Sequence, residues 1–205
     1  VAEPVTLAFA KQVLLYDLDD QDPLIDLLIV SGRMQAETYT GQTFTAAATT
    51  LVVDGPVGAV TPLPGAPLAS VETVTEVPLG GVATLVDPAA YVVEGIGVWG
   101  VPGRLRWIVP RGPLEPVGGL TVAYTVGPAA PEDVPAPVVR AILELVRDGF
   151  FRYQQGTATG PEYGLPYQVA ALLVPYRVEL RPVLGDLTGH WDLTGHWVTT
   201  GWGSG

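Results

Sequence analysis

The chain has 205 residues, 48% apolar and only 15% charged, so it can bury a sizeable core and lacks the composition of a disordered protein. Twenty-one acidic residues against 10 basic ones leave a net charge of −11, which argues against holding nucleic acid by phosphate neutralisation. The absence of Cys excludes disulfides, thiol nucleophiles and Cys-ligated metal centres, and 25 Gly with 20 Pro point to many turns and an arm around a folded centre.

Residues 5–41 read as two helices. Thr6 is the expected N-cap of the first, with Leu7, Ala10 and Leu14 on one stripe. Asp17, Asp19, Asp20 and Asp22 form an acidic connector. Asp22-Pro23 predicts an N-cap with Pro at the first helical position. Ile25, Leu28, Ile29, Ala36 and Tyr39 continue at helical spacing, and Gly41 stands where a glycine ends a helix. The carboxylates suit the positive end of the second helix. They lack the D-x-D-x-D-G spacing and distant Glu of a calcium loop.

Residues 44–127 read as short strands. Phe44–Asp54, Val71–Val77, Tyr91–Glu94, Leu105–Val109 and Leu120–Tyr124 are rich in Val, Thr and aromatics. Gly and Pro punctuate them, which predicts a small antiparallel sheet or sandwich. The stretch Asp54–Ala69 reads as a protruding loop. Gly95-Ile96-Gly97-Val98-Trp99-Gly100 lacks the spacing of a phosphate cradle and reads as a turn between strands.

Residues 134–153 return to helix after Pro135 and Pro137. Val138, Ile142 and Leu145, with Val139, Leu143, Val146 and Phe150, make two adjacent apolar stripes, which places this helix at the centre of the core. Arg140, Glu144, Arg147 and Asp148 share its remaining face, either as intrahelical ion pairs or as contacts between subunits. Pro166 opens a short helix with Val169, Leu172 and Leu173, and Pro175 ends it.

Beyond Arg181 the pattern changes to a tandem repeat, Asp186-Leu187-Thr188-Gly189-His190-Trp191 and Asp192-Leu193-Thr194-Gly195-His196-Trp197, followed by Trp202. If this tail is extended, His190 and His196 lie about 20 Å apart and cannot share a metal ion. No Ser/His/Asp set with a G-x-S-x-G elbow occurs, so neither catalysis nor a metal or cofactor is expected. Leu187, His190, Trp191, Leu193, His196, Trp197 and Trp202 form the candidate partner-binding arm, since regularly spaced Trp anchors suit an interface. The competing reading folds the tail back on its own core. No basic segment precedes an apolar run near residue 1, so no secretory signal is expected, and no apolar run is long enough to span a bilayer.

Six segments in this order resemble the head–tail connector (adaptor) family of long-tailed bacteriophages. They are Leu7–Leu14, Asp19–Ile29 running on to Tyr39-Thr40-Gly41, Pro67–Val71, Leu120–Gly127, Val134–Leu143 and Leu172–Arg177. The resemblance spans about residues 5–178 and leaves the Trp-bearing tail without a counterpart. It implies a homo-oligomeric ring, commonly a dodecamer, beneath the portal protein of a virion assembled in the bacterial host cytoplasm. That ring would continue the DNA channel and dock the next connector (stopper) or a tail protein, with no membrane involved. It also implies that the C-terminal segment reaches the portal. An acidic lumen would let DNA pass without specific binding, and Asp17, Asp19, Asp20, Asp22 and Asp26 are the candidate channel carboxylates.

The expected fold is α+β, a small bundle of four helices with an inserted antiparallel β region and an extended C-terminal arm. The expected divisions are 1–43 (helical pair), 44–127 (β-rich insertion), 128–180 (helices completing the bundle) and 181–205 (arm). The alternative function is a carbohydrate- or receptor-binding β module of a tail or adhesin, which would use aromatics such as Trp107.

Overall fold

A computed structural model of the chain describes residues 2–155, 165–178, 189–191 and 197–199. Its helices are α1 (Leu7–Leu14), α2 (Asp22–Thr40), α3 (Ala136–Gln154) and α4 (Tyr167–Leu173). Thr6 caps α1 by accepting the Phe9 N–H at 3.2 Å. Asp22 is the first residue of α2 rather than its cap, because its carboxylate is taken up by the Lys11 ammonium at 2.7 Å. Gly41 closes α2 with φ 69°, as its residue type predicts.

The helices bury one apolar cluster centred on α3. Val138, Ala141, Ile142, Leu145, Val146 and Phe150 pack with Ala10 and Leu14 of α1, Ile25, Ile29 and Ala36 of α2, and Val169 and Leu173 of α4. Tyr16 meets the Phe150 ring edge-on at 5.3 Å. α2 and α3 approach closely because each presents a glycine to the other. A Cβ on Gly32 would meet the Leu145 Cβ at 3.3 Å and the Ile142 carbonyl oxygen at 3.4 Å. A Cβ on Gly149 would meet Leu28 Cδ2 at 2.7 Å.

The intervening strands are β1 (Ala47–Val53), β2 (Val60–Pro62), β3 (Leu68–Glu76), β4 (Thr84–Leu85), β5 (Tyr91–Glu94), β6 (Arg104–Trp107) and β7 (Leu120–Val126). They form two antiparallel sheets, ordered β1-β7-β3-β4 and β2-β6-β5. Alternation aims Leu120, Val122, Tyr124 and Val126 of β7, and Leu105 and Trp107 of β6, into a shared second core. The expected loop Asp54–Ala69 is instead built into this unit. Val60–Pro62 pairs with β6, and Leu63 and Ala66 are fully buried. Proline fits there because β2 is an edge strand.

The two units meet where the chain leaves α2. Phe44 is fully buried in the helical cluster, and Trp99, from the β5–β6 turn, stacks against it at 5.9 Å. Glu37 accepts the Phe44 N–H at 2.8 Å and pairs with Arg33 at 2.7 Å, and Arg33 also reaches Glu3 at 2.7 Å. Burial works against the Arg33 charge, but its two carboxylate partners outweigh it and raise the guanidinium pKa. Thr43 N–H bonds the Ala66 carbonyl, Val178 N–H bonds the Thr40 carbonyl, and the Gln42 amide donates to the Tyr176 carbonyl.

Within the tail, β8 (Gly189–Trp191) and β9 (Trp197–Thr199) pair antiparallel, with Trp191 opposite Trp197. Leu187, Leu193, His196 and Trp202 lie outside the described residues.

The glycine seam makes a clear prediction. Gly32→Leu overpacks it and lowers the unfolding free energy by about 3 kcal/mol. Leu27→Ser, on the outward face of the same helix, changes it by no more than about 0.5 kcal/mol. Chemical denaturation of the two variants distinguishes the faces.

Candidate functional site

The acidic connector between α1 and α2 is not a uniform patch of free carboxylates. Lys11, the single lysine of the chain, bridges Asp19 at 2.6 Å and Asp22 at 2.7 Å. Tyr16 donates its hydroxyl to Asp20 at 2.6 Å. The hydrogen bond from Lys11 holds the Asp19 carboxyl below its ordinary pKa, and the bond to Asp20 raises that of Tyr16. Of the five expected channel residues, Asp17 and Asp26 are exposed and have no hydrogen bond or ion pair among the described residues.

Between these charges lie two leucines turned to solvent. Leu18 is 65% exposed and Leu15 91%. Leu15 also ends α1 with φ 54°, the one non-glycine positive φ among the described residues. A leucine there carries a backbone cost of about 1 kcal/mol that glycine would not.

The polar face of α3 divides. Arg147 pairs with Glu144 at 2.5 Å and Arg152 with Asp148 at 2.8 Å, which are intrahelical pairs of modest worth. Arg140 stands apart, exposed and without an ion pair among the described residues. It borders a hollow of about 530 Å³ shared with Glu3, Phe9, Glu132, Val139 and Leu143.

Sequence spacing missed a larger feature on α2. Leu27, Val30 and Met34 recur at i, i+3 and i+7, so they share a helix face, and that face points away from the core. With Tyr39, Leu165 and Arg177 they line an open, mainly apolar groove of about 710 Å³. The Arg177 guanidinium lies 5.2 Å over the Tyr39 ring and is the one charged group on the groove's lining among the described residues. The inward stripe of Ile25, Ile29 and Ala36 obscured this outer one in the sequence.

On the β unit, Glu94 binds both Arg104 and Arg106, and these partners keep its carboxyl below the ordinary range. Trp107 is buried, donates its indole N–H to Thr61 at 3.1 Å, and is covered by Arg111 at 4.4 Å. Its face is closed to a ligand. The glycine-rich turn Gly95–Gly100 bonds Gly97 N–H to the Leu68 carbonyl and positions Trp99 against Phe44, so its role is structural. Among the described residues no three His, Asp or Glu side chains are placed to hold a metal ion, and no helix is long and apolar enough to cross a membrane.

Two measurements follow from the connector. Leu15→Gly relieves the positive φ and raises the stability of the monomer by about 1 kcal/mol in thermal unfolding. The Lys11–Asp19 pair lowers the folded-state pKa of Asp19, so its stabilisation is complete above the unfolded value of about 4 and is lost as pH falls through the lower folded value. Asp19→Asn therefore loses less stability than the parent on acidification below about pH 4. A series of melting curves against pH reads this difference.

No protein-family model matches the chain, and no curated protein sequence matches it significantly. Solved structures do. A chain in the neck of an empty GTA particle, computed with C6 symmetry, is 22% identical and superposes with a TM-score of 0.66, over 89% of this chain and 92% of its own length. A chain of the native gene transfer agent (GTA) virion is 21% identical with a TM-score of 0.67, over 90% of this chain and 95% of its own. A third, from the native GTA neck computed with C12 symmetry, is 21% identical with a TM-score of 0.62, over 90% and 96%. The α+β fold described above is thus shared, nearly end to end, with chains of these particles.

Proposed function

We propose that this chain is a structural, non-enzymatic head–tail connector subunit of a phage or phage-like particle, residing in the virion between head and tail. The observation that carries the reading is the fold match over about nine-tenths of the chain to chains of gene transfer agent particles, two of them from the neck. The sixfold and twelvefold symmetry of those necks supports a closed homo-oligomeric ring, and twelve copies is the number we adopt. The ring sits under the portal, continues the DNA channel and presents a surface to the next connector or tail protein. Assembly takes place in the cytoplasm of the bacterial host.

The charge balance suits this role. Each copy brings a net −11, so a ring of copies repels duplex phosphates and lets DNA slide through without retention. Asp17 of the acidic turn and Asp26 of α2 are the candidate channel carboxylates with no hydrogen bond or ion pair among the described residues. The Trp-bearing tail, residues 181–205, is the segment proposed to engage the portal, with Trp191, Trp197 and Trp202 as anchors. The α3 face around Arg140 is available for contacts between subunits. The glycan-binding alternative loses its platform, since Trp107 is buried beneath Arg111.

Electron microscopy of the purified protein, alone and mixed with portal, is expected to show closed rings. A protein that stays monomeric under both conditions overturns the proposal. Deleting residues 186–205 is expected to abolish attachment to the portal while leaving the helical and β cores folded by circular dichroism.

A further inference from the structure

We propose that the Leu15–Leu18 turn of one copy seats in the α2 groove of the next copy, and that this knob-and-groove contact is the seam of the ring. The inference rests on the ring reading above and names the surfaces that would close it.

The two surfaces match in shape and in charge. The knob is apolar at its tip, with Leu15 91% and Leu18 65% exposed, and Asp17 lies between them with no hydrogen bond or ion pair among the described residues. The groove is apolar along Leu27, Val30, Met34 and Leu165, and among the described residues its lining carries no carboxylate and a single cation, Arg177. Two leucines with one acid between them thus face an apolar trough with one base at its end. In a protein with a net charge of −11, a groove whose described lining pairs apolar side chains with one arginine suits an acidic neighbour.

The contact lies between copies. Both leucines are exposed in the isolated chain, so they do not fill their own groove. The connector also lies before the first residue of α2, whereas Tyr39 beside Arg177 is 17 residues farther along that helix, about 25 Å at 1.5 Å per residue. Knob and groove are different patches of one surface, so joining them is heterologous and propagates from copy to copy until it closes. The positive φ of Leu15 has a place in this scheme. A glycine would end α1 with less strain but would bring no side chain to the seam. Asp17, a candidate channel residue from sequence, is reassigned to the seam.

The chain's lack of Cys makes a direct test available. Full-length protein carrying Leu18→Cys and Met34→Cys together is oxidised under assembly conditions and run on a denaturing gel. The expected result is a ladder of cross-linked species ending at the ring size. Single variants Leu18→Cys and Met34→Cys are expected to give covalent dimers when mixed and none when kept apart. Leu15→Gly, which folds at least as stably as the parent, is expected to weaken self-association about thirtyfold. Asp17→Arg is expected to weaken it and Arg177→Asp to restore it when both are present. Rings seen by native mass spectrometry that neither cross-link nor respond to Leu15→Gly overturn this seam while leaving the ring intact. Absence of any ring together with absence of cross-links overturns both readings.

Discussion

The close approach of α2 to α3 is the constraint on which the rest of the structure depends. These are the two long helices, 19 residues each, and each carries a glycine at the point where the other presses in. Gly32 receives Leu145 and Ile142, and Gly149 receives Leu28. With no Cβ in the way, the aliphatic side chains of one helix lie against the backbone of the other. That contact fixes the rotation of α2 about its axis. Once Gly32 must face α3, Ile25, Ile29 and Ala36 face the core, and Leu27, Val30 and Met34 must face outward. The exposed groove is therefore the geometric complement of the buried seam.

The second determinant is the handover from helix to sheet. Glu37 serves two purposes at once, pairing with Arg33 through one oxygen and capping the Phe44 N–H through the other. Phe44 belongs by sequence to the start of the β region but by packing to the helices. Its full burial contributes about 2–3 kcal/mol. Trp99 extends that contact from the opposite side, so a turn between two strands becomes part of the helical core. The β unit is thus tied to the helical core by Trp99 as well as by the chain.

Local signals are legible in this sequence, and long-range ones are not. Thr6, Gly41 and the Pro135/Pro137 pair mark helix ends through their own backbone chemistry, and the structure places the ends there to within a residue or so. The five longer strands stand out by composition. The stretch 54–69 does not, because its Gly and Pro content describes its turns, while the ladder of Val60–Pro62 depends on a partner more than 40 residues away. The alternation Arg104-Leu105-Arg106-Trp107 turns Trp107 inward, away from any ligand-binding surface. The outer stripe of α2 was legible only after the inner one was assigned. The left-handed backbone of Leu15 has no sequence signature at all, because a leucine gives no hint of positive φ. The ion pairs of α3 fall where i,i+3 and i,i+4 spacing puts them.

The notched seam also dictates where the molecule can change shape. Sliding α2 along α3 would have to lift Leu28 out of the space above Gly149 and drive Leu145 into backbone, so shear between these helices is closed off. The joins to the β unit are different in kind. They consist of two short crossings, after Gly41 with φ 69° and at Gly127 with φ 95°, held by a few hydrogen bonds and one aromatic stack. A rotation of one unit against the other would accordingly have to part Trp99 from Phe44, so that single aromatic contact sets the resistance to it.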